Sequence, residues 1–460
     1  MVANLCMLAA MMAAVVLCSF VASLIPGRPV PEVVFFVVAG VVLGPGCLGV
    51  VNATPGLDLV SRLGMGLLFL MAGYELDLRE LTGAMGRHAA LCWAVSFVAA
   101  LLLTPALGLG LDQTGVAAFS IALTTTAYGT LVPIMRDREL GGTSVGEVIE
   151  SYGAMGEILP VVAMSLLLSP SRSLGANVAV LVGFVAFCVF VASRGRWAAE
   201  MGSRLSRFLH ENAESSSQPT LRAVVALLCA LLAIAAVLDL DAVLAAFAAG
   251  FILRHVTPAE HGHRLMDKVE ALGNGLFVPV FFVYSGIGIE LSAVGEQPGL
   301  LVGFMALLLL VRALPLLASL ALSPETRTMP LGEKISASLY CTMALPLIVA
   351  LTEAAAACGA MDEQMASVLV CAGALTVLVI PIITSLSVRA VAAHPVDVVH
   401  EVMEHPHDLR EIVHEHHVHA HEVAEELREE RRHLHEEGVQ LSSADFLARR
   451  AELRRRHRRR

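Results

Sequence analysis

Glu157 stands near the middle of Gly146–Leu168, GEVIESYGAMGEILPVVAMSLLL, a stretch long and apolar enough to cross a bilayer. A carboxylate at that depth costs about 2.5–3.5 kcal/mol on insertion scales, so it marks a functional site by default. Its neighbours Met155, Gly156, Ile158 and Leu159 are small or apolar, and such surroundings favour the protonated carboxyl. A carboxyl that releases its proton can take Na+ or K+ on the same oxygens, and that competition couples the two movements. Glu150 lies seven residues earlier, two helical turns down the same face, near the predicted cytoplasmic end of the stretch. It reads either as a funnel charge that gathers cations or as a solvated helix-end charge.

Arg312 is the opposite charge. It lies mid-span in LVGFMALLLLVRALPLLASL (Leu301–Leu320), too deep to snorkel easily. Arginine stays protonated in proteins, so it needs a carboxylate or a cluster of carbonyls. Glu157 and the carbonyls of a broken twelfth span are the two candidates. As a counter-charge it would stop an empty, deprotonated Glu157 from being stranded; a structural role is compatible with that. Glu75, Asp77 and Glu290 read as helix-end charges, Asp239 and Asp241 as loop residues, and Glu353 as lying near the outer end of a span.

Two spans that would position these charges are broken in sequence. Leu123–Pro133, LTTTAYGTLVP, puts three consecutive hydroxyls, a glycine and a proline inside one span, and Leu339–Pro346, LYCTMALP, does something similar later. Proline removes a backbone donor. Unwound backbone at bilayer depth survives only where protein buries it or it lines a cavity. A crossing pair of breaks would aim half-helix dipoles and free carbonyls at one point. Thr124, Thr125 and Thr126 are then candidate ion and proton ligands. The alternative is that they bond back to their own helix and that Pro133 merely kinks it.

The whole chain fits a membrane setting. It is 56% hydrophobic and 16% charged, where a soluble domain carries about 25% charge. About thirteen spans are predicted, near 4–24, 30–46, 57–75, 88–108, 114–135, 146–168, 174–193, 220–238, 240–255, 272–291, 299–321, 333–356 and 364–388. The first lacks a basic leader and is expected to be a retained helix rather than a signal peptide. Arginine and lysine crowd alternate loops, at Arg28, Arg79, Arg87, Arg136, Arg194, Arg254, Lys268, Arg327 and Lys334 among others. By the positive-inside rule the N-terminus lies outside and the C-terminal tail in the cytoplasm. The nine cysteines form no CxxC pair, so neither a disulfide frame nor a zinc knuckle is expected.

An internal repeat follows. FFVVAGVVL (Phe35–Leu43) pairs with AFAAGFIL (Ala246–Leu253), FLMAGYEL (Phe69–Leu76) with FVYSGIGIEL (Phe282–Leu291), and the two broken stretches with each other. Each pair is seven spans apart, so its members run in opposite directions. Inverted repeats, here about 30–168 and 240–388, are a signature of secondary transporters. The expected fold is an all-α polytopic membrane protein, a sodium/proton-antiporter-like inverted repeat with two broken crossing helices.

These residues resemble the monovalent cation:proton antiporter-2 family over about residues 10–390. The carriers are VVAGVVLGPGCLG, GLLFLMAGYELDL, ALTTTAYGTLVPIMRDREL and LFVPVFFVYSGIGIEL. The resemblance implies a six-helix core, a panel of dimerising helices, a homodimer and an elevator-like core movement. It places Glu157 at the family's span-six aspartate and Gly156 at the residue before it, often Asp, Asn or Gln. Arg312 falls at the family's basic residue in span eleven, and Thr124–Thr126 at its hydroxyl-rich break. With one carboxylate, electroneutral exchange of one proton per cation is the simplest expectation. The Glu-for-Asp and Gly-before departures leave open an altered ion preference or lost transport. No cofactor, enzyme chemistry or nucleic acid is implied, and an inner-membrane location is.

Residues 391–460 form a separate cytoplasmic tail holding most of the 17 histidines. His414, His417 and His421 fall at i, i+3 and i+7, a spacing that would place a divalent metal on one helical face. The same cluster would also suit a pH sensor or a solvated, disordered tail. Two other functions remain: a sodium-coupled symporter of an organic anion, and a non-transporting membrane sensor of pH or metal.

Overall fold

The computed structural model describes residues 2–24, 31–76, 82–137, 140–168, 174–200, 219–257 and 259–392, and these are helical throughout apart from their connections. In chain order the helices begin with α1 (Val2–Leu24), α2 (Glu32–Leu43), α3 (Pro55–Glu75), α4 (Ala84–Leu103), α5 (Gln113–Thr124) and α6 (Tyr128–Asp137). Next come α7 (Ser144–Val148), α8 (Ala154–Leu167), α9 (Leu174–Glu200), α10 (Pro219–Val237), α11 (Ala242–Val256), α12 (Ala259–Leu272) and α13 (Val278–Ile287). The last are α14 (Leu291–Glu296), α15 (Pro298–Leu308), α16 (Leu314–Leu322), α17 (Leu331–Tyr340), α18 (Leu345–Ala357) and α19 (Glu363–Ala392). Single π turns at Ile149–Gly153, Gly273–Phe277 and Leu309–Ala313 join α7 to α8, α12 to α13 and α15 to α16.

Among the described residues, ten helices are long and apolar enough to cross a membrane, and α2 and α11 are shorter apolar helices. Together with 144–167 they cover the predicted spans in order. The chain is a multi-pass membrane protein. Helix starts follow their caps: Thr54 accepts from Leu57 N–H, Asp112 from Gly115 N–H, and Asp241 from Val243 N–H. Asp241 is therefore a cap as well as a loop residue.

Two layers of burial emerge. The outer helices α1, α4, α9 and α10 leave much of their apolar surface exposed, as in the stripe Leu91, Val95, Val98 and Leu102. Such a stripe suits contact with lipid. Among the ten candidate spans of the described residues, those that contain the two breaks are the most deeply buried.

The inverted repeat is visible in how glycines pack. A Cβ on Gly40 would run into the Val283 carbonyl, and one on Gly286 into the Val37 carbonyl, so α2 and α13 meet backbone to backbone. Gly73 and Gly250 stand in the same relation to the carbonyls of Phe247 and Leu70, which joins α3 to α11. Under the predicted repeat α2 corresponds to α11 and α3 to α13, so one contact is the image of the other. Small residues that admit close backbone approach are how membrane helices associate without a hydrophobic driving force.

Candidate ion and proton site

The first break starts where the three threonines end α5. Thr124 Oγ1 donates to the carbonyls of Ser120 and Ile121 at 3.0 and 3.1 Å, and Thr125 Oγ1 to that of Ala122 at 3.0 Å. Both hydroxyls thus bond back to their own helix. The helix nonetheless stops: Thr125 is extended, at φ −74° and ψ 151°. It resumes at Tyr128 and runs through Pro133, so the break lies at 125–127 and not at the proline.

Backbone groups freed by the break find partners on other elements. Thr126 N–H donates to the Gly156 carbonyl at 2.8 Å, and Ala127 N–H to the Met343 carbonyl at 2.7 Å. Thr126 Oγ1 donates to the Cys341 carbonyl. Cys341 and Met343 lie in the second break, between α17 and α18. The two breaks are therefore stitched to each other and to the segment that carries Glu157.

Glu157 is buried, at 2% exposure, in the first turn of α8. Gly129 N–H donates to its Oε2 at 3.3 Å, and the Tyr128 N–H also bonds to the carboxyl. These are first-turn amides of α6, which lack partners inside their helix. They also form the positive end of a half-helix dipole, which suits a carboxylate. Glu75, at the end of α3, lies in electrostatic reach of Glu157.

Arg312 is fully buried in the π turn Leu309–Ala313. Its Nη2 donates to Thr126 Oγ1 at 2.9 Å and to the Tyr152 carbonyl at 3.1 Å, and its Nε to Thr126 Oγ1 at 3.3 Å. Tyr152 lies in the π turn of the Glu157 segment. The guanidinium is thus held by a hydroxyl and a carbonyl. It makes no ion pair with Glu157, and among the described residues Nη1 has no hydrogen-bond partner. Its tie to the second break is indirect, through Thr126.

Glu150 sits in that same π turn and is partly exposed. A π turn holds one residue more than an α turn, so seven residues no longer amount to two regular turns between Glu150 and Glu157. His414, His417 and His421 lie outside the described residues. Within the described residues no group of histidine, cysteine, aspartate and glutamate is arranged to hold a metal ion.

Against known proteins, residues 10–390 match the sodium/hydrogen exchanger transmembrane family. The chain belongs to that family. It is 26% identical over 281 residues to the probable Na(+)/H(+) antiporter GerT of Bacillus cereus, covering 58% of this chain and 70% of the relative. It is 26% identical over 285 residues to the Na(+)/H(+)-K(+) antiporter GerN of the same organism, covering 58% and 67%. Cation/H(+) antiporter 18 of Arabidopsis thaliana is also 26% identical, but the match spans only 36% of it. In fold, the chain is similar to the sodium proton antiporter MjNhaP1 from Methanocaldococcus jannaschii, with a TM-score of 0.58 at 16% identity, over 84% of this chain and 97% of that one. The monovalent cation:proton antiporter resemblance and the antiporter-like fold both hold. The relatives support a cation/proton antiporter.

Proposed function

We propose that the chain exchanges Na+ or K+ for H+ across the membrane, with Glu157 as the shared site. The observation that carries the reading is a single buried carboxyl at the crossing of two helix breaks, met by the first amides of a half-helix. Those amides stabilise the bare carboxylate between loss of the proton and arrival of the cation. Thr124 and Thr125 spend their protons on carbonyls, which leaves lone pairs on both oxygens for a cation. Thr126 is different, because its oxygen already accepts from Arg312. We assign it to the scaffold rather than to the ion. Arg312 supplies a fixed positive charge near the site. With one carboxylate in play, the exchange is one proton per cation and electroneutral. The protein works as a homodimer in the inner membrane, with its N-terminus outside and its tail inside.

The test is a proteoliposome assay with a pH-sensitive dye and pulses of Na+, K+ and Li+. Wild type should move protons on cation addition, and Glu157→Gln should lose at least about 90% of that signal, since the amide cannot carry the proton. Unchanged proton movement in Glu157→Gln would remove the carboxylate from the mechanism. A response that follows an imposed membrane potential would rule out electroneutral exchange.

A further inference from the structure

Gly156 precedes Glu157, and the reason for a glycine there is steric. A Cβ at this position would lie 2.8 Å from the Thr126 Cβ, 2.5 Å from Thr126 Oγ1, and closer still to Arg312 Nη2. Real Cβ atoms essentially never approach other heavy atoms within 3.0 Å. The backbone is not what demands glycine, since 154–167 is regular α-helix. The guanidinium therefore occupies the volume in which a side chain at 156 would start.

We propose that Gly156 is a positioning residue: the side chain it lacks is the seat of the Arg312 guanidinium, which holds the crossed breaks in register beside Glu157. Several hydrogen bonds converge on that seat. Gly156 itself accepts from Thr126 N–H at 2.8 Å. Thr126 Oγ1 donates to Cys341 in the second break and accepts from Arg312. Arg312 Nη2 also reaches Tyr152, four residues before Gly156. A methyl at 156 pushes on both Arg312 and Thr126, and Thr126 adjoins the Ala127–Met343 bond that joins the breaks. The displacement reaches Glu157 through the next peptide and through Gly129, which opens the first turn of the resumed helix. A larger polar residue at 156 has no room while the guanidinium is seated, so residue 156 and Arg312 act as one unit.

The inference rests on Glu157 as the transport carboxylate, and a double-mutant cycle tests it. Wild type, Gly156→Ala, Arg312→Lys and the double variant are purified, and cation-driven proton movement is measured in proteoliposomes against cation concentration and pH. Lysine has no Nη2, so in its background the alanine methyl presses on Thr126 alone. In the arginine background Gly156→Ala should raise the cation KM about tenfold and displace the pH profile. In the lysine background the same change should raise KM less than about threefold. Equal penalties in the two backgrounds overturn the proposal. So does a lowered thermal midpoint with unchanged KM and pH profile, because that is a packing defect alone. If Arg312→Lys does not yield folded protein, Arg312→Gln closes the same cycle. Glu157→Gln is run alongside: if it still moves protons, the carboxylate reading fails, whatever the cycle shows. If it is dead and the penalties are additive, only the role of Gly156 fails.

Discussion

Thr126 carries more of the site than the two threonines before it. Its hydroxyl is the acceptor for Arg312 and the donor to Cys341, whereas Thr124 and Thr125 serve their own helix. Thr126→Val keeps the shape and removes all of these bonds, leaving a buried guanidinium short of an acceptor. The expected cost is about 2–4 kcal/mol, because an unpaired buried charge loses more than a neutral hydrogen bond does. Thr126→Ser should stay within about 1 kcal/mol of wild type, since the hydroxyl remains and one methyl is lost. Thermal unfolding of the purified variants in detergent separates the two. Glu157 and Arg312 were legible in the sequence because a charge inside an apolar run is conspicuous. Their actual partners were not, because these are mostly backbone groups: Gly129 N–H, the Tyr152 carbonyl and, beyond Thr126, the Cys341 carbonyl. A peptide group has no residue-type signal. Gly156 was visible as a departure from a family pattern, but its reason depended on where a side chain 156 positions later in the chain comes to rest.

Helix packing is where the repeat becomes physical. Gly250 lies against the Leu70 carbonyl so closely that no Cβ fits without moving backbone. Gly250→Ala should lower stability by about 1–3 kcal/mol, the usual range for overpacking. Gly275, by contrast, has nothing within 4 Å of a built Cβ. Gly275→Ala should be neutral or slightly stabilising, by up to about 1 kcal/mol, through helix propensity. A reversed order of their thermal midpoints would deny that the glycine contact locks α3 to α11. The glycines were readable as repeat markers, because FVVAGVVL-like strings recur. Which helix each one faces was not readable, since that depends on topology. The π turns also left a trace: Pro279 and Pro315 follow two of them closely. A proline removes the donor that would close the preceding α turn, and π turns often occur at functional positions. The turn at Ile149–Gly153 has no such proline beside it and gave no warning. The connection after α16 also predicts a pH response. The Ser323 hydroxyl donates to Glu325 and holds its carboxyl below the ordinary range, with His88 and Arg87 adding to the effect. A depressed carboxyl contributes stability above its unfolded pKa of about 4.3, and loses it as pH falls through the lower folded value. The midpoint difference between wild type and Glu325→Gln should therefore be present at about pH 5 and shrink below about pH 4.

At the scale of the molecule, the order of the membrane-crossing helices was the most legible feature of the sequence. Boundaries moved by several residues, and the tenth span continues toward its N-terminus into α12, where Arg264 and Lys268 lie. The order of the spans did not move: the described residues hold ten helices long and apolar enough to cross a membrane, with α2, α11 and 144–167 in the predicted places between them. The proposed orientation makes a direct prediction about Cys47. It lies in the connection between α2 and α3 and is exposed. With the N-terminus outside, the first span runs inward and the second outward, so Cys47 faces the outside. Ser442, in the tail, faces the cytoplasm. In a variant that keeps Cys47 as its sole cysteine, a membrane-impermeant maleimide added to intact cells should label the protein. In a cysteine-free variant with Ser442→Cys, labelling should require permeabilised cells. The opposite result at both positions would invert the protein. Glu150 and Glu75 would then lie toward the outside, and any cation-gathering by Glu150 would serve external ions. Labelling of both positions in intact cells would place them on one side, which an odd number of spans between them and an odd total do not allow.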